Sequence, residues 1–479
     1  MGLGRTALSA LLVTSLAACG GGGGGGSSGG NTSSGGSFGG GSSGGGGGDG
    51  CSLSERQDFA RDVLNEWYLF PDLLDTGVNK SSFSSVQAYI DALVAPARAQ
   101  NKDRFFTYIT SIEEENAFFN SGTSAGFGIR LGYDTVNNRV FVLEAYENAP
   151  ALGQNIDRGT ELLAVGTSSS SLQSISSLMS SGGPQAVINA LGPSDPGVTR
   201  VLQVRDSGGV TRELSLTKAE FNIDPVSDRY GAKVINDGGK LVGYLNLRTF
   251  IDTADNDLRT AIGDFKAQGI SEIIVDFRYN GGGLVRTADL MGDLLGADNV
   301  GDVFSYTAFR ASKSANDETE LFQSEPNAIG ATKIAFIGRG GTASASELVA
   351  NSFIPYLNAN TALVGTNTFG KPVGQIAIDK ASCDDRMRVV AFKTENADRQ
   401  GEYFDGLASV FPNSCAASDD ISTQLGEPTE ASIATALDFL AGRSCNAISA
   451  TRTTAGGARQ QLLQPDRPTA AQREVPGLF

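Results

Sequence analysis

Residues 272 to 283, Glu272-Ile273-Ile274-Val275-Asp276-Phe277-Arg278-Tyr279-Asn280-Gly281-Gly282-Gly283, decide how this chain of 479 residues folds. Ile273, Ile274 and Val275 form a continuous apolar run rather than an alternating one, the pattern of a strand covered on both faces. Ahead of it, residues 241 to 247 read as another strand. Leu258, Ile262 and Phe265 then recur at helical spacing behind Asp255 or Asp257 as candidate caps. Strand, helix and strand make a βαβ unit, so the class is α/β. Glycines at the end of a parallel strand let backbone N–H groups approach a ligand closely, as anion sites and oxyanion holes require. A nucleotide would be the other tenant, but neither a Gly-x-Gly-x-x-Gly opening nor a P-loop lysine accompanies them.

The next strand, at 333 to 337, runs into glycines 338, 340 and 341 and then Thr342-Ala343-Ser344-Ala345-Ser346-Glu347, with Leu348, Val349 and Phe353 continuing as a helix. A serine between strand and helix has its hydroxyl in the field of a helix N-terminus, where the nucleophile elbow of other hydrolases sits. Either serine, with Glu347, also reads as an ordinary helix cap. The chain has no histidine, which removes the usual base for a serine nucleophile and any zinc site built on imidazole. Thr368-Phe369-Gly370-Lys371 supplies the remaining base, a lysine.

Two regions precede this core. Ser52-Leu53-Ser54-Glu55 is a capping box, Phe59, Val63 and Trp67 follow at helical spacing, Pro71 ends that helix, and residues 86 to 94 read as a second. From Ser121 the pattern changes to short strands with turns at Asn137-Asn138 and Ser207-Gly208-Gly209. Within it Gly126-Phe127-Gly128-Ile129, Pro150-Ala151 and residues 156 to 163 resemble a PDZ domain. In such domains the glycine-containing loop takes a peptide's terminal carboxylate and the peptide adds a strand to a sheet edge. A β-rich insert with ordinary glycine turns is the plainer reading.

Residues 276 to 283, Ser344-Ala345-Ser346-Glu347, and Thr368-Phe369-Gly370-Lys371 with Gln375 resemble, in that order, the carboxyl-terminal processing (tail-specific) serine peptidases. With the flanking regions the similarity spans nearly all of residues 52 to 443. It implies a crotonase-like α/β core with an inserted PDZ-like domain and an N-terminal helical domain. It also implies Ser344 as nucleophile, Lys371 as base, Gln375 supporting the lysine, an oxyanion hole at Gly282 and Ala345, and no cofactor or metal. Lys371 lies 27 residues after Ser344 and 25 after Ser346; the first separation is two longer than is common in the family, so Ser346 is the reserve nucleophile. Pro372 stands where glycine is common and holds Lys371 out of the helical region. The implied activity is endopeptidase cleavage of envelope polypeptides through an acyl-enzyme. The competing reading is an inactive PDZ-bearing lipoprotein that serves as a peptide-binding scaffold.

The N-terminus addresses the chain. Arg5 and the apolar stretch from Ala7 to Ala17 read as a signal peptide, too short to span a bilayer. Leu16-Ala17-Ala18-Cys19 resembles a bacterial lipobox, which makes Cys19 the acylated residue; Gly20 after it, by the same resemblance, favours the outer membrane. Met1-Gly2 with Thr6 fits a myristoylation pattern, but the apolar run argues for export. Residues 19 to 50, almost all Gly and Ser, form a tether whose reach is on the order of 30 Å. The expected division is 1–18 signal peptide, 19–50 tether, 51–120 helical domain, 121–222 PDZ-like domain, 223–446 peptidase core and 447–479 disordered tail.

The formal charge of −16 argues against nucleic acid and anionic lipid as partners and serves solubility. With Cys19 assigned to lipid, Cys51, Cys383, Cys415 and Cys445 remain, an even number for an oxidising compartment. Three pairings are open. Cys383 with Cys415 and Cys51 with Cys445 is the favoured one, since the second would tie the start of the folded body to its end; free buried thiols are the alternative.

Overall fold

The computed structural model describes residues 50–449 and 460–479. The expectations for residues 1–49, including the signal peptide, Cys19 and most of the tether, lie outside the described residues. So do residues 450–459.

The core is a six-stranded sheet in the order 232–237, 240–246, 272–276, 333–338, 361–365, 414–416. Its first pair is antiparallel, and every later neighbour is parallel. The continuous apolar run at 273–275 follows from burial on both faces. Ile273 and Val275 pack under the helices Ala254–Ala267, Val285–Leu295 and Ala345–Ser352. Ile274 faces the opposite layer, with Ala335, Ile337, Val364 and the helix Ala431–Leu440. Thr253, not Asp255 or Asp257, precedes the first of these helices; both aspartates fall in its first turn, where their charge suits the positive end of the dipole.

A second, antiparallel sheet orders strands 108–111, 385–395, 303–309 and 318–321, with 373–380 paired to 385–395. The helices Leu53–Trp67, capped by the Ser52–Glu55 box, and Val86–Leu93 share one apolar core with Val373, Met387, Val389 and Val390 of this sheet. The N-terminal helices are therefore seated on the segment that carries Lys371. Trp67 lies at the edge of that core, with the Lys313 ammonium 4.0 Å from its ring centroid.

The β-rich region is a sheet with the path 460–462, 129–134, 139–145, 161–166, 199–205, 211–217, backed by the helix Ile175–Leu191. Its first strand is contributed by the end of the chain. Residues 460–479, expected to be part of a disordered tail, instead form the strand Gln460–Leu462 and the helix Ala470–Glu474, and Leu463, Val475, Leu478 and Phe479 are buried. Their polar composition misled because these residues complete existing apolar clusters rather than form one of their own.

The disulfides also differ from the favoured pairing: Cys51 is bonded to Cys383, and Cys415 to Cys445. Cys51 sits ahead of a helix that packs on the 373–395 hairpin, and Cys383 is at the turn of that hairpin. Cys415 lies on the last core strand, close to the segment after the helix Ala431–Leu440. Adjacency through packing, rather than closure of the body's two ends, set the partners. Among the described residues no helix is long and apolar enough to cross a membrane.

Candidate active site

Three loops meet at the C-terminal ends of the parallel strands, where open α/β sheets place their sites. The backbone N–H of Ala343 donates to the Asn280 carbonyl at 3.1 Å, and that of Phe369 donates to the Thr342 carbonyl at 2.9 Å. The Thr342 hydroxyl donates to the Phe277 carbonyl at 2.7 Å. The three sequence motifs are thus stitched together by the backbone of the serine loop.

Ser344 precedes the helix Ala345–Ser352 with φ 56° and ψ −118°. A non-glycine residue in this region is strained, and such strain persists only where the surroundings impose it. The turn lifts Ser344 to a partly exposed position while Ser346, in the first turn of the helix, is buried and donates its hydroxyl to the Asn280 carbonyl at 3.2 Å. Of the two candidate serines, Ser344 is the accessible one. Gly282 has φ +115°, and a Cβ there would lie 2.7 Å from the Ser344 Cβ and 3.1 Å from the Ala345 nitrogen. Only glycine permits so close an approach of the two loops. The Gly282 N–H donates to Asn280 Oδ1 at 2.8 Å, so in this arrangement it is turned away from the position of an oxyanion.

Glu347 is the centre of the site's polar framework. Its carboxylate, fully buried, accepts from the N–H groups of Gly370 and Lys371 at 2.7 Å each and from that of Ser344 at 3.2 Å. One side chain therefore holds both the serine elbow and the lysine loop. Burial raises the Glu347 pKa, against the lowering effect of these hydrogen bonds and of Thr368. In the sequence Glu347 was legible only as part of a cap.

The Lys371 ammonium donates to Gln375 Oε1 at 2.8 Å and stands 5.0 Å from the Phe106 ring centroid. Gln375 in turn donates to the Phe106 carbonyl. Burial lowers the Lys371 pKa, opposed by the carboxylates of Glu474 and Asp103. In this structure the amine is hydrogen-bonded to Gln375 rather than to Ser344. The lysine loop is pinned from the N-terminal region by Arg104, whose guanidinium donates to the carbonyls of Phe369 (2.7 Å), Gly370 and Phe404 (3.1 Å). Neither Arg104 nor Asp103 carried a sequence signal, because both act from about 270 residues away in the chain.

The four residues of the expected carboxylate loop, Gly126, Phe127, Gly128 and Ile129, lie together at the edge of the β-rich sheet, and that edge is filled by the chain's own Phe479. The β-rich region touches the glycine loop directly. Arg130 donates to the Tyr279 carbonyl, and Arg158 donates to the Tyr279 hydroxyl at 2.9 Å.

Residues 241–402 match the model of peptidase family S41. That segment is similar to the core of family S41 peptidases. The segment holds Gly282, Ser344, Lys371 and Gln375. Similarity extends to the C-terminal processing peptidase of Tetradesmus obliquus chloroplasts, 27% identical over 274 residues, which cover 54% of each chain. It extends also to carboxyl-terminal-processing peptidase 1 of Arabidopsis thaliana chloroplasts, 31% identical over 258 residues, or 52% of this chain and 47% of that one. The chain spans about half the length of these curated relatives. In three dimensions it resembles the crystal structure of a Bacteroides fragilis chain described as an S41 protease, with a TM-score of 0.62 at 21% identity, covering 80% of this chain and 97% of that one.

Proposed function

We propose that the chain is a serine endopeptidase in which Ser344 and Lys371 form the catalytic dyad on a crotonase-like core. The observation that carries this reading is the Glu347 carboxylate bound to the backbone of both residues, which fixes a strained serine elbow against a lysine whose pKa burial depresses. Neutral Lys371 takes the Ser344 hydroxyl proton as Oγ attacks a peptide carbonyl. The carbonyl oxygen, now negative, is met by the Ala345 N–H at the helix N-terminus and by the Gly282 N–H once it is released from Asn280. Lys371 then returns the proton to the departing amine, leaving an acyl-enzyme that water hydrolyses by the same exchange. Gln375 positions the lysine. Retention of serine, lysine and glutamine in one site is what disfavours the inactive scaffold.

The β-rich region is read as a PDZ-like domain that takes substrate C-termini at Gly126–Ile129. Cys19 is read as the acylated anchor at the bacterial cell envelope, on the outer membrane; Cys19→Ser then leaves the folded body intact and moves it to the soluble fraction. Incubation of the mature protein with reduced, alkylated polypeptides tests the activity. Cleavage that disappears in Ser344→Ala supports it, and polypeptide left intact both by the unaltered chain and by its Phe479→Asp variant overturns it.

A further inference from the structure

The end of the chain lies in the groove just assigned to substrate ends. Phe479 pairs with Ile129 in both directions: its N–H donates to the Ile129 carbonyl at 2.8 Å, and its backbone oxygen accepts from the Ile129 N–H at 3.1 Å. The Leu131 N–H donates to the Gly477 carbonyl at 2.8 Å, so residues 477–479 add a short strand to the same edge. The Phe479 backbone carbonyl carbon would be 2.5 Å from a Cβ on Gly126, so the loop admits the backbone of Phe479 only because it has no side chain there. The Phe479 ring is 2% exposed and shares a cluster with Phe127, Ile129, Val187, Ile188 and Leu191.

The same segment also crosses the catalytic loops. The Glu474 carbonyl accepts from the Gly281 N–H at 3.2 Å, and its carboxylate is near enough to Lys371 to oppose the lowering of the lysine pKa. Leu462 lies against Gly341, where a Cβ would be 2.5 Å from its Cδ1. The tail contacts Gly281 rather than Gly282, whose N–H stays on Asn280. No oxyanion hole is formed around it, so the tail occupies the site without being presented for cleavage.

We propose that residues 471–479 are a built-in ligand that keeps the groove and the catalytic loops occupied, and that the external ligands it excludes are polypeptides with a free C-terminus ending in a large apolar residue. This rests on the reading of the β-rich region as a substrate-end site. A tethered ligand has an effective concentration in the millimolar range, enough to exclude free peptides of ordinary micromolar affinity. Activation then requires a substrate end that outcompetes the tail, or loss of the tail's terminus.

The test uses the full chain with Ser344→Ala as host and a fluorescein-labelled nonapeptide of sequence Ala471 to Phe479 as probe. Two alterations free the groove: Phe479→Asp, and a Gly-Ser-Gly extension after Phe479, which keeps every native side chain and moves only the carboxylate. Each should bind the probe at least about 10-fold more tightly than the host with its native end, and the amidated probe should bind about 10-fold more weakly than the free acid. Equal binding by host and both altered chains, or by acid and amide, overturns the docking. In chains that keep Ser344, the same alterations should raise cleavage of reduced, alkylated protein about 5-fold or more, as expected when the occupied fraction falls. Unchanged turnover in a chain whose probe binding has risen overturns the inhibitory role. If no chain cleaves anything, the peptidase reading fails, while probe binding still decides whether the tail is a ligand.

Discussion

In the proposed dyad Lys371 must be neutral to accept the Ser344 proton. Burial lowers its pKa and the Glu474 and Asp103 carboxylates pull it back, so the neutral fraction, and with it turnover, rises as pH increases through that pKa. Lys371→Arg should be as inactive as Lys371→Ala across pH 6 to 9, because a guanidinium keeps its proton throughout; residual cleavage by the arginine variant that increases with pH would remove the lysine from the mechanism. Ser346, buried and bonded to Asn280, should when changed to alanine lower stability by about 1 kcal/mol and leave most activity, since a neutral buried hydrogen bond contributes about that much. Glu347→Gln retains the shape but makes the acceptor shared by Ser344, Gly370 and Lys371 half donor. It should slow cleavage about 10- to 100-fold with little change in KM, read from initial rates, as a misplacement of catalytic groups does.

At the scale of elements, what was legible and what was not separate by distance along the chain. The serine elbow, the lysine and the glutamine each sit within a few residues of their own motif, so Ser344, Lys371 and Gln375 could be put forward as candidates without a fold. Arg104 gripping the Phe369 and Gly370 carbonyls, and the tail strand at 460–462, could not, because their meaning exists only after helices and sheets have packed. The cysteines show the same limit: the seat of the helix Leu53–Trp67 on the 373–395 hairpin brings Cys51 to Cys383, and no pattern in the sequence announces that seat. The bond closes a loop with a sequence separation of 332. Replacing both cysteines by alanine should therefore lower the unfolding free energy in urea by about 2–4 kcal/mol. A loss under about 0.5 kcal/mol would mean that packing of the helix on the hairpin already holds the junction without it.

Over the whole molecule the β-rich region and the core are joined by buried charge. Asp419 of the core accepts from Arg158 at 2.7 Å, and Arg158 also donates to the hydroxyl of Tyr279, three residues before Gly282. Burial alone would raise the Asp419 pKa, but Arg158, Arg339 and Arg278 more than offset it and hold the carboxyl well below the usual range. Glu144, facing Arg248 and Arg130, is treated alike: burial is outweighed by the two guanidiniums, which bring it down to about 2. A carboxylate with a depressed folded-state pKa contributes stability that is complete above its unfolded value, near 4, and is lost as pH falls through the folded one. Asp419 and Glu144 should thus contribute no change between pH 7 and 5, where the partly buried carboxyls of Asp289, Asp224 and Asp293, pushed up to about 8, 6 and 6 by burial, take up protons in the folded state and raise the urea midpoint; below pH 4 the contribution of Asp419 and Glu144 should be lost steeply. Asp419→Asn leaves Arg158 and Arg278 with one fewer buried counter-charge and should cost about 3–5 kcal/mol at pH 7. At pH 3 the difference from the unaltered chain should shrink, since part of the Asp419 contribution has by then been lost in both. If the difference is the same at both pH values, the ionised Asp419 is not what couples the β-rich region to the loop that carries Gly282, and the hydrogen bonds alone must do so.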